Sequence, residues 1–210
     1  MQDSIDERAR RYLKITVGVM GSAGGRLSEA AVKMATEMGR VIASRGCVLV
    51  TGACPGLPHY AVTGAKSAGG IVVGISPALN FEEHCIKYRS PYAHYDMLVY
   101  TGSGLMGREI ENIRSCDLVV FMGGRSGTLG EFAIAYDEGK IIGILQGTGG
   151  IADRMETIVK LVEKETGARI VYSRDPADLL DRLIQVYNEK LLPYYKTILA
   201  NSQPDGDLEE

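Results

Sequence analysis

At 210 residues, 45% hydrophobic and 23% charged, the chain can bury the core of one well-packed domain, and its formal net charge of −3 argues against general binding to nucleic-acid backbones. No apolar run approaches the roughly 18 residues of a membrane span, and the polar start MQDSIDERARRY lacks the apolar stretch of a signal peptide, so a cytoplasmic protein with no membrane partner is expected. Cys47, Cys54, Cys85 and Cys116 form no CxxC pair and read as small buried residues, while the histidines show no ligand spacing, so neither a metal site nor a required cofactor is expected.

Residues 3–13 read as a short polar helix, and 15–20 as a first strand that runs into the loop Gly21-Ser22-Ala23-Gly24-Gly25. A helix over 27–44 follows, with Ala31, Met34, Ala35, Met38, Val41 and Ile42 at core spacing. This strand, glycine turn and helix meet a dinucleotide fingerprint only loosely, since GxGxxG is absent and no acidic residue ends the second strand at 47–51. A second glycine loop spans Gly52 to Gly56, ahead of a short helix through Ala61 and Ala65 and a third strand at 71–75. Residues 79–96 carry no regular pattern, and a stretch of that length inside a compact domain suggests a lid or an interface segment.

A fourth strand at 97–100 is broken by Gly102 and Gly104, and a helix runs over 105–115. Arg108 falls in its first turn, where a cation meets the positive end of the helix dipole and is better placed if an anion lies nearby. Its ordinary alternative is a surface pair with Glu111 or Asn112. Residues 119–122 then form a buried strand, and Gly123, Gly124, Arg125, Ser126 and Gly127 turn the chain towards another helix. Thr128 and Glu131 have capping-box spacing, so that helix is expected to start at Thr128 with free amides facing the loop, a ready phosphate site.

Beyond it lie a sixth strand at 140–145, the loop Gly147-Thr148-Gly149-Gly150 opening a helix to about residue 164, and a last strand at 169–172. Asp175-Pro176 caps a final helix that Pro193 should interrupt, leaving residues 196–210 as an acidic, unstructured tail beyond a single domain over 1–195. Strands alternating with helices predict a Rossmann-like α/β domain: an open parallel sheet of about seven strands with helices on both faces. In such a sheet the glycine loops open on one edge, at the carboxyl ends of the strands, where ligands bind.

From Gly107 to Glu131 the sequence resembles the Lonely Guy family, also known as lysine-decarboxylase-like proteins, whose signature is an M-x-x-R helix followed by PGGxGTxxE. Arg108 stands nine residues before Asp117 as in that family, and residues 123–131 cover the signature without gaps. The resemblance implies hydrolysis of the N-glycosidic bond of a nucleoside 5′-monophosphate such as AMP, with Arg108 and Glu131 catalytic and Gly124, Gly127 and Thr128 on the phosphate. It places Gly21, Ser22, Gly52, Gly56, Gly123, Arg125 and Ser126 in the loops around the nucleotide. A carboxylate can stabilise the oxocarbenium ribose of such a reaction or activate water. Decarboxylation finds no support, since no lysine is marked as a Schiff-base partner. The sequence departs from the signature at Gly123 for proline, Arg125 for glycine and Glu109 for the usual lysine. These departures resemble a side branch that includes molybdenum-cofactor carrier proteins, which hold a phosphorylated pterin without cleaving it. The resemblance also implies a homodimer, with apolar surface on the 105–115 helix and the 88–100 segment.

Overall fold

The structure is a computed structural model and describes residues 4–203. Seven strands lie in one sheet in which every pair is parallel. In chain order they are β1 (Thr16–Gly21), β2 (Val48–Thr51), β3 (Val72–Ser76), β4 (Met97–Tyr100), β5 (Leu118–Met122), β6 (Ile141–Leu145) and β7 (Arg169–Ser173). The helices are α1 (Ile5–Tyr12), α2 (Glu29–Ser44), α3 (Leu57–Ser67), α4 (Gly104–Arg114), α5 (Ser126–Asp137), α6 (Met155–Val162) and α7 (Pro176–Ala200). Strand order is β4-β3-β2-β1-β5-β6-β7, so the chain builds outward from β1 in one direction and, after α4, outward from β5 in the other. This is the Rossmann-like α/β domain expected.

Burial on both faces explains the near-continuous apolar runs of the central strands: every residue of β5 and β6 is buried. On one face Val17, Val19, Leu49, Val120 and Met122 pack against Ala35, Met38 and Ile42 of α2, Ala61 of α3 and Leu179, Leu180 and Leu183 of α7. On the other, Met20, Val119, Phe121, Ile142 and Ile144 pack against Ile113 of α4, Phe132 and Ala135 of α5 and Met155 of α6. Side chains alternate across each strand, so each apolar strand feeds both cores.

Local signals set several boundaries. Ser28 caps α2 through the Ala31 amide, and the Asp175 carboxylate accepts from Ala177 and Asp178 at the start of α7. Elsewhere the fold departs from sequence expectation. The helix after Gly150 is shorter, a 3-10 turn at Ala152–Arg154 followed by α6. Pro193 does not end the last helix, which continues to Ala200, past the point where the tail was expected to begin. Tertiary contacts hold those final turns: the Tyr195 hydroxyl donates to Asp117 at 2.8 Å and Lys196 pairs with Asp6 of α1. Residues 204–210 of the expected tail lie outside the described residues.

The irregular stretch at 79–96 holds a π-helical turn at Glu83–Lys87, pinned by the buried His84. Its Nδ1 lies 2.8 Å from the Ser76 hydroxyl and its Nε2 3.0 Å from the Pro91 carbonyl. Because a carbonyl only accepts, Nε2 carries the proton and Nδ1 accepts from Ser76. All four cysteines are free, and only Cys47 and Cys116 are fully buried; Cys54 and Cys85, expected in the core, are partly exposed. Among the described residues no helix is long and apolar enough to cross a membrane.

Candidate anion site at the switch point of the sheet

Between β1 and β5 the direction of winding reverses, and the two strands send their chains to opposite faces: β1 to α2, β5 to α5. A crevice must open where they part, and this is where such sheets bind ligands. The strand ends are drawn tightly together below it. Gly21 pairs with Met122, and a Cβ on Gly21 would lie 2.1 Å from the Met122 carbonyl oxygen, so only glycine fits. Ser22 donates its amide to that carbonyl at 3.2 Å, and its hydroxyl accepts the Gly124 amide at 2.6 Å.

Gly123 and Gly124 both have positive φ, 60° and 93°, and turn the chain sharply away from β5. Their own polar groups are consumed by the turn. The Gly123 amide donates to the Thr148 hydroxyl at 2.9 Å, and the carbonyls of Gly123 and Gly124 accept from Ala152 and Ile151. Sequence reasoning placed Thr148 only in a helix-opening loop; its signal was the Gly-Thr-Gly-Gly run, but its partner lies 25 residues earlier.

The turn delivers α5 with its amino end on a cavity of about 360 Å³. Helix α5 begins at Ser126, not Thr128, its N-cap is Arg125, and no side chain caps it. Thr128 therefore sits at the third helical position, and Glu131 makes no capping box with it. The first amide with an intrahelical bond is Leu129, to the Arg125 carbonyl, so those of Ser126, Gly127 and Thr128 are left for whatever enters the cavity. Arg125, Ser126, Gly127 and Thr128 line the cavity, as do Gly21, Ser22 and Gly52; Gly56, Gly123 and Gly124 stand behind its wall. Gly56 has φ 83° and lies against the Ser22 carbonyl, which accepts the Leu57 amide at 2.9 Å. It fixes the wall and offers no surface of its own.

Opposite α5, Arg108 reaches into the cavity from the second turn of α4, at 6% exposure. Gly52 makes room for it: a Cβ there would lie 1.6 Å from Arg108 Nη1. The surface pairing considered from sequence does not form, since Glu111 accepts from Ser103 and Asn112 donates to the sulfur of Met20. Instead Nη1 lies 3.8 Å from a carboxylate oxygen of Glu131, too far for a hydrogen bond, and Nε has no partner. A buried guanidinium with a distant counter-charge and no hydrogen bond is a strong anion receptor.

Glu131 is 7% exposed, and burial pushes its carboxyl up to about 7 against the opposing pull of Arg108, with the negative charge of Glu109 adding to the rise. Burial likewise raises the carboxyl of Glu109, which lines the cavity beside Gly127 and Gly130. Cys54 completes the wall on the β2 side, its thiol pushed up to about 11 by burial and so protonated at neutral pH. The structure thus brings Arg108, Glu131 and the start of α5 together from segments up to 23 residues apart in sequence. Among the described residues no group of three or more His, Cys, Asp or Glu is placed to share a metal ion.

This fold recurs in known proteins. An uncharacterised protein of Archaeoglobus fulgidus is 33% identical over 130 residues, 62% of this chain and 79% of that protein. The structure resembles the molybdenum cofactor binding protein of Rippkaea orientalis, with a TM-score of 0.69 at 28% identity, over 83% of this chain and 98% of that one. It also resembles the molybdenum cofactor carrier protein of Chlamydomonas reinhardtii, with a TM-score of 0.66 at 29% identity, over 82% of this chain and 98% of that one. The profile of the SLOG cluster4 family matches residues 14–180, from the start of β1 into α7 and across the whole cavity, and the chain belongs to that family.

Proposed function

We propose that the chain binds a small phosphorylated ligand in this cavity and holds it without cleavage, as a carrier or sensor, with a pterin phosphate of the molybdenum-cofactor type as the first candidate. The observation that carries the reading is the uncapped start of α5 facing a buried Arg108 whose Nε has no hydrogen-bond partner. Backbone amides and a helix dipole suit a phosphate, and a guanidinium can grip it in a bidentate way. Similarity to a molybdenum cofactor binding protein and a carrier protein supports the pterin. Arg125 adds a further cation at the mouth, where the Lonely Guy signature has glycine.

A second reading, N-glycosidic hydrolysis of a nucleoside monophosphate, draws on Glu131. A carboxyl held near 7 can give or take a proton at neutral pH, which suits acid or base work at a ribose. Incubation with a panel of nucleoside 5′-monophosphates, watched for free base and ribose 5-phosphate, separates the two. The carrier reading expects no turnover and saturable binding of a pterin phosphate; turnover of any member would replace it with the hydrolase. Either reading expects AMP to bind about tenfold or more better than adenosine, and equal binding of the two would remove the phosphate cradle from both.

Two further proposals accompany this one. The chain assembles as a homodimer through the exposed apolar side chains of Phe81, Tyr92, Met97, Leu105, Met106 and Ile110, of which Leu105 also lines the cavity. Its free thiols suit a reducing compartment, and we place it in the cytoplasm.

A further inference from the structure

Among the described residues, buried side-chain atoms without a hydrogen-bond partner are Arg8 Nε, His59 Nδ1, Arg108 Nε and Asn112 Oδ1. The last two stand one helical turn apart on the buried face of α4. One is a donor and the other an acceptor. Side chains on a helix lean towards its amino end, so Asn112 is tilted back over the turn that carries Arg108. Asn112 is fully buried, and its amide NH2 has one weak partner, the sulfur of Met20 at 3.1 Å, on a residue that also lines the cavity. That contact leaves the amide oxygen for the guanidinium, since the reverse orientation would turn a donor towards a group that only donates.

We propose that Asn112 is the positioning residue of Arg108, its Oδ1 taking the Nε–H through one bridging water. Buried waters typically join such otherwise unsatisfied groups. Held at Nε, the guanidinium cannot rotate its fork away, and its terminal nitrogens stay beside Gly52 and Glu131, pointed at the ligand. The assignment deepens the anion site proposed above and rests on it for its functional consequence. A helix that buries Asn and Arg beside one apolar residue, Ile113, is then explained by binding.

The test uses the full chain, ribose 5-phosphate as probe in calorimetry, and the Nε–H resonance of Arg108 in arginine-labelled protein. Asn112→Leu keeps the branched shape at Cγ and removes the acceptor. Ribose 5-phosphate affinity should fall by roughly tenfold or more, the Arg108 resonance should move upfield and exchange faster with solvent, and the melting temperature should hold or rise. Affinity within about twofold of wild type together with an unmoved resonance would overturn the proposal. If Asn112→Leu does not fold, Asn112→Ser and Asn112→Ala replace it: both leave space, but only serine keeps a partner for the water, so equal affinities and equal resonances would sink the idea. A wild type that ignores ribose 5-phosphate, with a resonance that still moves in Asn112→Leu, refutes the anion site and keeps the positioning role. Binding with an unmoved resonance refutes the positioning role alone.

Discussion

Glu131 is the side chain whose surroundings differ most from what the sequence suggests. Its ordinary value is 4.5, and burial holds it up to about 7 in the folded chain. Between those values the folded state binds more protons than the unfolded state, so this group's contribution to stability is greatest at low pH and is lost as pH rises through about 7. Glu131→Gln, which stays neutral, should therefore match wild type in melting temperature near pH 4.5 and exceed it at pH 8. Equal melting at both pH values would show that the carboxylate is stabilised by Arg108 rather than burdened by burial. Gly52 offers the complementary test. A methyl group at 1.6 Å from Nη1 must expel the guanidinium of Arg108 from its place, so Gly52→Ala should weaken phosphate binding by roughly tenfold or more. The backbone φ at Gly52 does not demand glycine, and the destabilisation should stay near the 1–3 kcal/mol of an overpacked site, roughly. Retained phosphate affinity in this variant would mean that Arg108 does not contact the ligand.

At the scale of elements, the site depends on how the start of α5 is clasped to β1. Ser22 is the clasp, because its hydroxyl takes the Gly124 amide at 2.6 Å while its backbone bonds Met122 and Leu57. Ser22→Ala leaves the Gly124 amide without that partner, which should cost about 1–3 kcal/mol in thermal or denaturant unfolding and loosen the α5 start. Hydrogen exchange should rise at residues 123–128 and stay unchanged in α7; a uniform rise would point to global destabilisation instead. Helix α7 shows the same reliance on tertiary partners. Proline removes one helical hydrogen bond and crowds the preceding turn, yet α7 continues because Tyr195 and Lys196 are fastened to Asp117 and Asp6. Tyr195→Phe removes the hydroxyl that Asp117 accepts, and the turns after Pro193 should fray, read as faster exchange in residues 194–200 with the sheet unaffected. Unaltered exchange there would assign the continuity of α7 to the α1 contact alone.

For the whole molecule, sheet topology decides where chemistry can happen. At the centre of the sheet β1 and β5 are neighbours whose chains leave to opposite faces, and the connection from the edge strand β4 back to β5 puts α4 over the crevice. Several exposed apolar side chains lie on the edge strand β4 and on α4, with Met106 78% exposed and Leu105 55%. An edge strand with exposed apolar side chains is a natural docking surface. Light scattering at micromolar concentration should give twice the 22.7 kDa of the chain, and Met106→Lys should return it to the monomer mass. A monomer in the wild type would overturn the homodimer.

Much of this architecture was legible in residues alone. The period and length of the apolar runs announced the strands and helices, the glycine clusters marked their junctions, and buried runs such as VVFM required helices on both faces. The signature residues also pointed to Arg108, Glu131 and the 124–128 turn as one site. Three things waited on tertiary structure. The Thr-x-x-Glu spacing announced a cap, but capping depends on which residue the preceding turn delivers to the helix, and two left-handed glycines held by Ser22 and Thr148 start α5 two residues early. Pro193 announced a break, but a local penalty of roughly 3 kcal/mol yields to contacts made by residues distant in sequence. The protonation of Glu131 was invisible, because a pKa records burial and neighbouring charge, and both arise only when α4 and α5 close over the ends of β1 and β5.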